Sequence, residues 1–305
     1  MATKKPKSST KSKTTKTVKK TATESVAKTA PVEKAEVISS KTEAKKSCFA
    51  GFFAKKYEEN ESILTIFKKP KFYGALIGEL IGSFLITLLL FSLSLMGLSS
   101  IATYSFAVIA IFVGIYAFSG ACINPIITIG MMATRRISVI RGVMYIVAEI
   151  IGAWLGWVIF NSFQLAGGDS AYAVPTMTEI AEGKFFVVAM IEMIGAIIVA
   201  FFYARAIKYK RSAFTFAAVV AGGFAFVMVV SYVISAAFLG LNNNFLFNPA
   251  TALWYQIFPS SGENFGEIFG GVCQALSVYV LLPMIGGVIG FYISEFTARL
   301  SGENE

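Results

Sequence analysis

Two Asn-Pro dipeptides, Asn124-Pro125 and Asn248-Pro249, stand 124 residues apart, each in apolar surroundings. The first lies in Ser119-Gly-Ala-Cys-Ile-Asn-Pro-Ile-Ile-Thr-Ile-Gly130 and the second in Phe245-Leu-Phe-Asn-Pro-Ala-Thr251. Asparagine is a favoured helix N-cap and proline is favoured at the first helical position, so each copy reads as a helix start. The apolar stretches that follow, roughly 129–134 and 252–258, are too short to cross a bilayer. Two short helices that begin at membrane depth need a protein-lined cavity for their free backbone groups. That is the geometry of a pore or a substrate site. Three carboxylates, Glu79, Glu149 and Glu192, also lie inside apolar runs. Acids at such depth are functional candidates, and as a proton relay they would indicate a coupled transporter.

The elements that must position these residues follow from hydropathy and charge. Mean hydropathy is +0.66 and 55% of the residues are hydrophobic, which is membrane composition. Residues 1–71 carry 18 lysines against 7 glutamates, a net +11, whereas residues 72–305 carry a net −2. The overall +9 therefore describes a tail and not the folded body. Residues 1–47 are rich in Lys, Thr, Ser, Ala and Glu and are expected to be disordered. The stretch 48–71 mixes Phe52, Phe53, Ile63, Leu64 and Phe67 with lysines and reads as an amphipathic juxtamembrane segment or a linker. The start of the chain has no apolar signal-peptide core, so the tail is expected to remain attached.

Six apolar segments of about 20 residues or more follow, at roughly 72–98, 101–120, 141–164, 184–207, 213–238 and 266–294. Arg135, Arg136, Arg141, Arg205, Lys208, Lys210 and Arg211 fall on the side of the Lys-rich tail if all six cross. The opposite connections hold Asp169, Glu179, Glu182, Glu263 and Glu267. The positive-inside rule then places both termini in the cytoplasm of a multi-pass protein of the cell membrane. Histidine is absent, which removes His-based triads, zincin motifs and the usual proton shuttle. Cys48, Cys122 and Cys273 are widely spaced, with no metal pattern and no disulfide framework. An enzyme is not expected.

An internal repeat is visible. Glu79-Leu-Ile-Gly82 in the first span matches Glu192-Met-Ile-Gly195 in the fourth. Ile151-Gly-Ala-Trp-Leu-Gly156 in the third matches Ile285-Gly-Gly-Val-Ile-Gly290 in the sixth. Gly74, Gly78 and Gly82 form a further small-residue face, and such faces let helices approach closely. Three spans per half put the two copies in opposite orientations, and inverted repeats with broken helices mark transport folds.

The pattern resembles the major intrinsic protein family, the aquaporins and glycerol facilitators, over about residues 72–298. Ser119-Gly-Ala-Cys-Ile-Asn-Pro is similar to the family's SGAHxNPA, and Asn248-Pro-Ala is similar to its second box. The resemblance implies an all-α membrane channel with an aquaporin-like inverted repeat, six transmembrane helices and two membrane half-helices. It implies a homotetramer with a pore per subunit, carrying small neutral solutes passively, glycerol with water. No cofactor, metal or energy coupling is implied.

In such a pore Asn124 and Asn248 would flank the waist and donate side-chain N–H groups to a passing oxygen. The positive ends of the two half-helices would repel protons and cations. Backbone at Ala121, Cys122, Ile123, Phe245, Leu246 and Phe247 would line one wall with carbonyls. Glu79 and Glu192 would hold the pore loops by accepting backbone hydrogen bonds. Spacing from each Asn places the family's selectivity ring at Tyr104, Ala236, Phe245 and Thr251. The aromatic, small and aromatic residues fit the glycerol type, as does Pro283-Met284 in the sixth span. Thr251 stands where the family has arginine, which removes a fixed charge and a forked donor. Ala252 stands where Asp or Ser is usual, Cys122 where His is usual, and Ile126 where the first box has Ala. Alternatives are a water-selective pore, a proton-coupled transporter, or a non-conducting scaffold should Ile126 and Phe247 occlude the waist. The Lys-rich tail reads first as solvated, with no specific partner and no specific nucleic acid; contact to anionic lipid, at about 1 kcal/mol per residue near the surface, is the alternative.

Overall fold

The structure is a computed structural model that describes residues 66–96, 101–166, 185–208, 212–234, 237, 245–257 and 264–303. The expectations for the tail and for most of the juxtamembrane segment therefore lie outside the described residues, as does ring position Ala236. Everything described is helix or irregular connection, with no strand among the described residues.

The first half comprises α1 (Pro70–Met96), α2 (Ile101–Ser119), α3 (Pro125–Ala133) and α4 (Val139–Ala166). The second comprises α5 (Phe185–Lys208), α6 (Ala213–Ile234), the short α7 (Pro249–Ala252) and its wider-turned continuation Leu253–Ile257. It ends with α8 (Phe265–Leu276), a second wide turn at Ser277–Leu281, and α9 (Leu282–Leu300). Among the described residues five helical stretches are long and apolar enough to cross a membrane: Pro70–Phe91, Val139–Phe163, Phe185–Lys208, Ala213–Ile234 and the continuous Phe265–Leu300. The expected second span is the 19-residue α2, whose apolar part, Thr103–Ser119, is shorter.

Local chemistry explains the ends and irregularities. Pro70 and Pro125 occupy first-turn positions, where a missing N–H is harmless. Pro283 sits deep inside the last span. There it removes an N–H and presses on the preceding turn, and Ser277–Leu281 relieves that crowding by widening. The last span runs to Leu300, six residues past the expected end. Its stop is Gly302 in the left-handed region (φ 69°), where Gly302 N–H donates to Arg299 O and Glu303 N–H to Ala298 O. These two bonds form a Schellman cap.

The packing repeats with the halves. α1 packs on α4 as α5 packs on α9, and α1 on α2 as α5 on α6. α3 lies against α9 while α7 lies against α4, so each half-helix is held by the other half's last span. α2 against α6 closes the bundle. Glycines set the two closest approaches. A Cβ at Gly156 would stand 2.9 Å from the Phe84 carbonyl oxygen of α1, and one at Gly286 would stand 2.6 Å from the Met193 carbonyl oxygen of α5. The outer surface is apolar, with Phe106, Phe163, Phe186, Phe214 and Phe265 all exposed.

Both basic connections meet the end of α9. Arg136 pairs with Glu295 at 3.4 Å, and Arg205 grips Glu303 with two nitrogens at 3.0 and 3.1 Å. Hydrogen bonding to the Arg205 guanidinium holds the Glu303 carboxyl below the usual carboxylate range. These pairs bring Arg136, Arg205 and the C-terminal end of α9 to one end of the bundle.

The oversized Ile126 has a specific partner. A Cβ at Gly287 of α9 would strike the Ile126 carbonyl oxygen and come within 2.8 Å of Ile126 Cγ2. In the other half the equivalent places hold Ala250 and Ala153, both fully buried. The large-small pair thus replaces a small-small pair. Gly287→Ala is expected to lower stability by about 1–3 kcal/mol through overpacking. Ile126→Ala in the same chain should relieve part of that loss, so the double-mutant cycle should show a coupling of about 0.5–3 kcal/mol. Simple additivity in thermal unfolding would disprove the pairing.

Candidate functional site

The site is built where the two half-helices begin. Asn124 is the N-cap of α3 and its Oδ1 accepts the Ile126 N–H at 3.0 Å. Asn248 is the N-cap of α7 and its Oδ1 accepts the N–H groups of Ala250 (3.1 Å) and Thr251 (3.4 Å). Capping engages the acceptor of each amide and leaves its NH2 group as a donor. Asn124 Nδ2 donates to the Phe247 carbonyl at 2.8 Å, across the two halves. Asn248 Nδ2 is buried with no hydrogen-bond partner among the described residues, so the second amide has its donors uncommitted there. Both lie at helix N-termini, where aligned peptide dipoles are positive.

The loops before each Asn are held by carboxylates. Glu79 of α1 accepts Cys122 N–H at 3.1 Å and Ile123 N–H through its other oxygen. Glu192 of α5 accepts Leu246 N–H at 2.9 Å and Phe247 N–H at 3.2 Å. All the groups involved are buried. The loops require this restraint because Ala121 (φ 55°), Ile123 (φ 42°) and Phe247 (φ 46°) adopt the left-handed region without being glycine. Each such residue stores on the order of 1–3 kcal/mol. Tyr203 of α5 adds a third tie, donating to the Gly120 carbonyl at 2.8 Å, with Cys122 Sγ at 3.7 Å.

Ile123 and Phe247, the residues before the two asparagines, both point into helix packing. A Cβ on Gly82 would strike Ile123, and one on Gly195 would strike the Phe247 ring. This explains the glycine of each Glu-x-x-Gly segment: it leaves room for the loop side chain that its glutamate tethers. Phe247 also stacks on Phe245, with ring centroids 6.1 Å apart and planes at 14°. The Cys122 thiol is buried.

Of the ring positions, Tyr104, Phe245 and Thr251 are buried. The Tyr104 hydroxyl has no hydrogen-bond partner among the described residues. The Thr251 hydroxyl pairs with that of Thr87 on α1 at 2.8 Å. Thr87 was not singled out from sequence, and no spacing rule would have found it. Nor was Thr128 of α3, whose hydroxyl donates to Glu149. No group of three or more His, Cys, Asp or Glu suited to a metal occurs among the described residues. Chemically, the arrangement presents amide donors and restrained backbone at the meeting point of two positive helix ends, and it offers no nucleophile-base pair.

Comparison with known proteins agrees with this geometry. The family model described as major intrinsic protein matches residues 66–294. A glycerol uptake facilitator protein-like 6 from Lactiplantibacillus plantarum is 29% identical over 204 residues, covering 65% of this chain and 83% of that protein. A probable aquaporin PIP2-5 from Arabidopsis thaliana is 32% identical over 110 residues, covering 34% of this chain and 37% of that protein. In fold, the chain is similar to the solved aquaglyceroporin from Plasmodium falciparum, with a TM-score of 0.52 and 17% identity, covering 74% of this chain and 95% of that one. With paired Asn-capped half-helices, a two-fold repeated packing and a match over three-quarters of its length, the chain belongs to the major intrinsic protein family, whose members are membrane channels for small solutes.

Proposed function

We infer that this channel passes glycerol, with water accompanying it, down a gradient and without energy coupling. The observation that carries the reading is Thr251. The position that would hold arginine holds a neutral hydroxyl, and that hydroxyl is engaged by Thr87 of α1. With Tyr104, Ala236 and Phe245 as the other ring members, the constriction has no fixed charge and has apolar walls suited to the carbon face of a polyol. The solute's hydroxyls then meet the loop carbonyls and the uncommitted Nδ2 of Asn248. Glu79 and Glu192 act as loop supports, since both carboxylates direct both oxygens at backbone N–H groups. The working unit is a homotetramer in the cell membrane with both termini cytoplasmic.

The test is Thr251→Arg in reconstituted vesicles. Arginine brings a charged, five-donor fork into the ring. It is expected to lower glycerol flux severalfold more than water flux. Equal changes in both would show that Thr251 does not line the narrowest point.

A further inference from the structure

Glu149 has no counterpart in the second half, where the equivalent position in the last span is Pro283. It is fully buried on α4. Its Oε1 accepts the Thr128 hydroxyl of α3. Its own carbonyl accepts the Ser83 hydroxyl of α1 at 2.7 Å. Its Oε2 has no hydrogen-bond partner among the described residues. Glu79 stands four residues before Ser83, one turn along the α1 face that packs on Glu149 and α4. Both Glu79 oxygens already accept backbone N–H groups.

Two ionised carboxylates are acceptors only, so facing each other they would form no bond and would repel. The remaining titratable groups facing this pair are Cys122 in the loop, Tyr145 on α4 and Tyr203 on α5, and none is a cation. α3 carries no Lys or Arg. Lys71 on α1 and Arg141 on α4 each stand eight residues from the pair's own acids, about 12 Å of helix rise, and Arg141 acts on Tyr145, one turn short of Glu149. A double negative charge at this depth would lack a counter-ion, which is costly.

We propose that Glu79 and Glu149 share one proton, carried on Glu149 Oε2 and donated to the Glu79 carboxylate, so that Glu149 is a positioning residue for the first pore loop. The bond completes a chain from α3 through Thr128, Glu149 and Glu79 to the N–H groups of Cys122 and Ile123, with Asn124 next in line. No covalent bond changes; the proton stays with the pair. The inference concerns how the waist is held and does not depend on which solute passes.

The test compares Glu149→Gln, which keeps a donor of the same shape, with Glu149→Leu, which removes it. In reconstituted protein at neutral pH, infrared difference spectra should show a protonated-carboxyl carbonyl band in the wild type that is lost in E149Q. E149Q should keep the wild-type thermal midpoint and solute flux. E149L should lose flux per folded protein and melt earlier. A wild-type minus E149Q difference confined to carboxylate bands would overturn the proposal, because Glu149 would then be ionised. So would E149L behaving like E149Q in flux and melting, since the donor would then be dispensable.

Discussion

Glu192→Leu is expected to destabilise the protein by about 2–6 kcal/mol and to abolish solute flux. The substitution keeps the bulk of the side chain but leaves the Leu246 and Phe247 N–H groups buried without an acceptor. Each unmet buried donor costs about 1–3 kcal/mol. The same two bonds restrain Phe247 in its left-handed conformation, and Phe247 O is the acceptor of Asn124 Nδ2. Loss of the tether therefore propagates to both asparagines. Glu192→Gln separates support from proton chemistry. Its carbonyl oxygen still accepts one N–H and its NH2 leaves the other unmet, so it should lose about half as much stability and should still conduct. Thermal melting in detergent and flux in vesicles read both variants. A folded Glu192→Gln protein with no flux would instead assign Glu192 a protonation role, and a Glu192→Leu protein as stable as wild type would mean that the loop is held by other contacts.

Gly290→Val is expected to cost more than about 3 kcal/mol and to prevent assembly of the bundle. A Cβ there would meet Ala200 Cβ at 2.8 Å and the Phe201 backbone nitrogen at 3.0 Å, both on α5. Helix backbone cannot turn aside as a flexible side chain can, so α9 must move away from α5, and overpacking of that kind exceeds the usual 1–3 kcal/mol. Displacing α9 also displaces α3, which packs on it. The control is Gly114→Ala on α2, where nothing lies within 4 Å of the added Cβ. That change should be neutral or stabilising by up to about 1 kcal/mol, because glycine is a poor helix former. The expected ordering in detergent melts is Gly114→Ala at or above wild type and Gly290→Val far below it. Similar midpoints for the two would refute the close-packing argument.

Much of this was legible in the sequence because the signals are local. Asn-Pro specifies a capped start without reference to the rest of the chain, and both half-helices begin at that proline. The family resemblance implied loop support by Glu79 and Glu192, and the Gly-x-x-x-Gly spacing marked small-residue faces that let helices approach closely. What could not be read depends on contacts between distant segments. The Thr87–Thr251 hydroxyl pair joins residues 164 apart, and Asn124 reaches a carbonyl 123 residues away. The fit of Ile126 against Gly287 is likewise invisible from either residue alone. Glu149 had no account from sequence, because its meaning lies in facing Glu79 from another helix. The extension of the last span to Leu300 needed the Gly302 cap to be recognised eight residues beyond the apolar run.

The central claim is that a passive pore for small neutral solutes runs past two Asn-capped half-helices. The most direct measurement is stopped-flow light scattering on reconstituted vesicles, comparing shrinkage in sucrose with re-swelling in glycerol at several temperatures and with or without an imposed pH gradient. The account predicts rapid glycerol re-swelling with a low activation energy that the pH gradient leaves unchanged. Flux that requires the gradient, or no glycerol or water flux from folded protein, would contradict it.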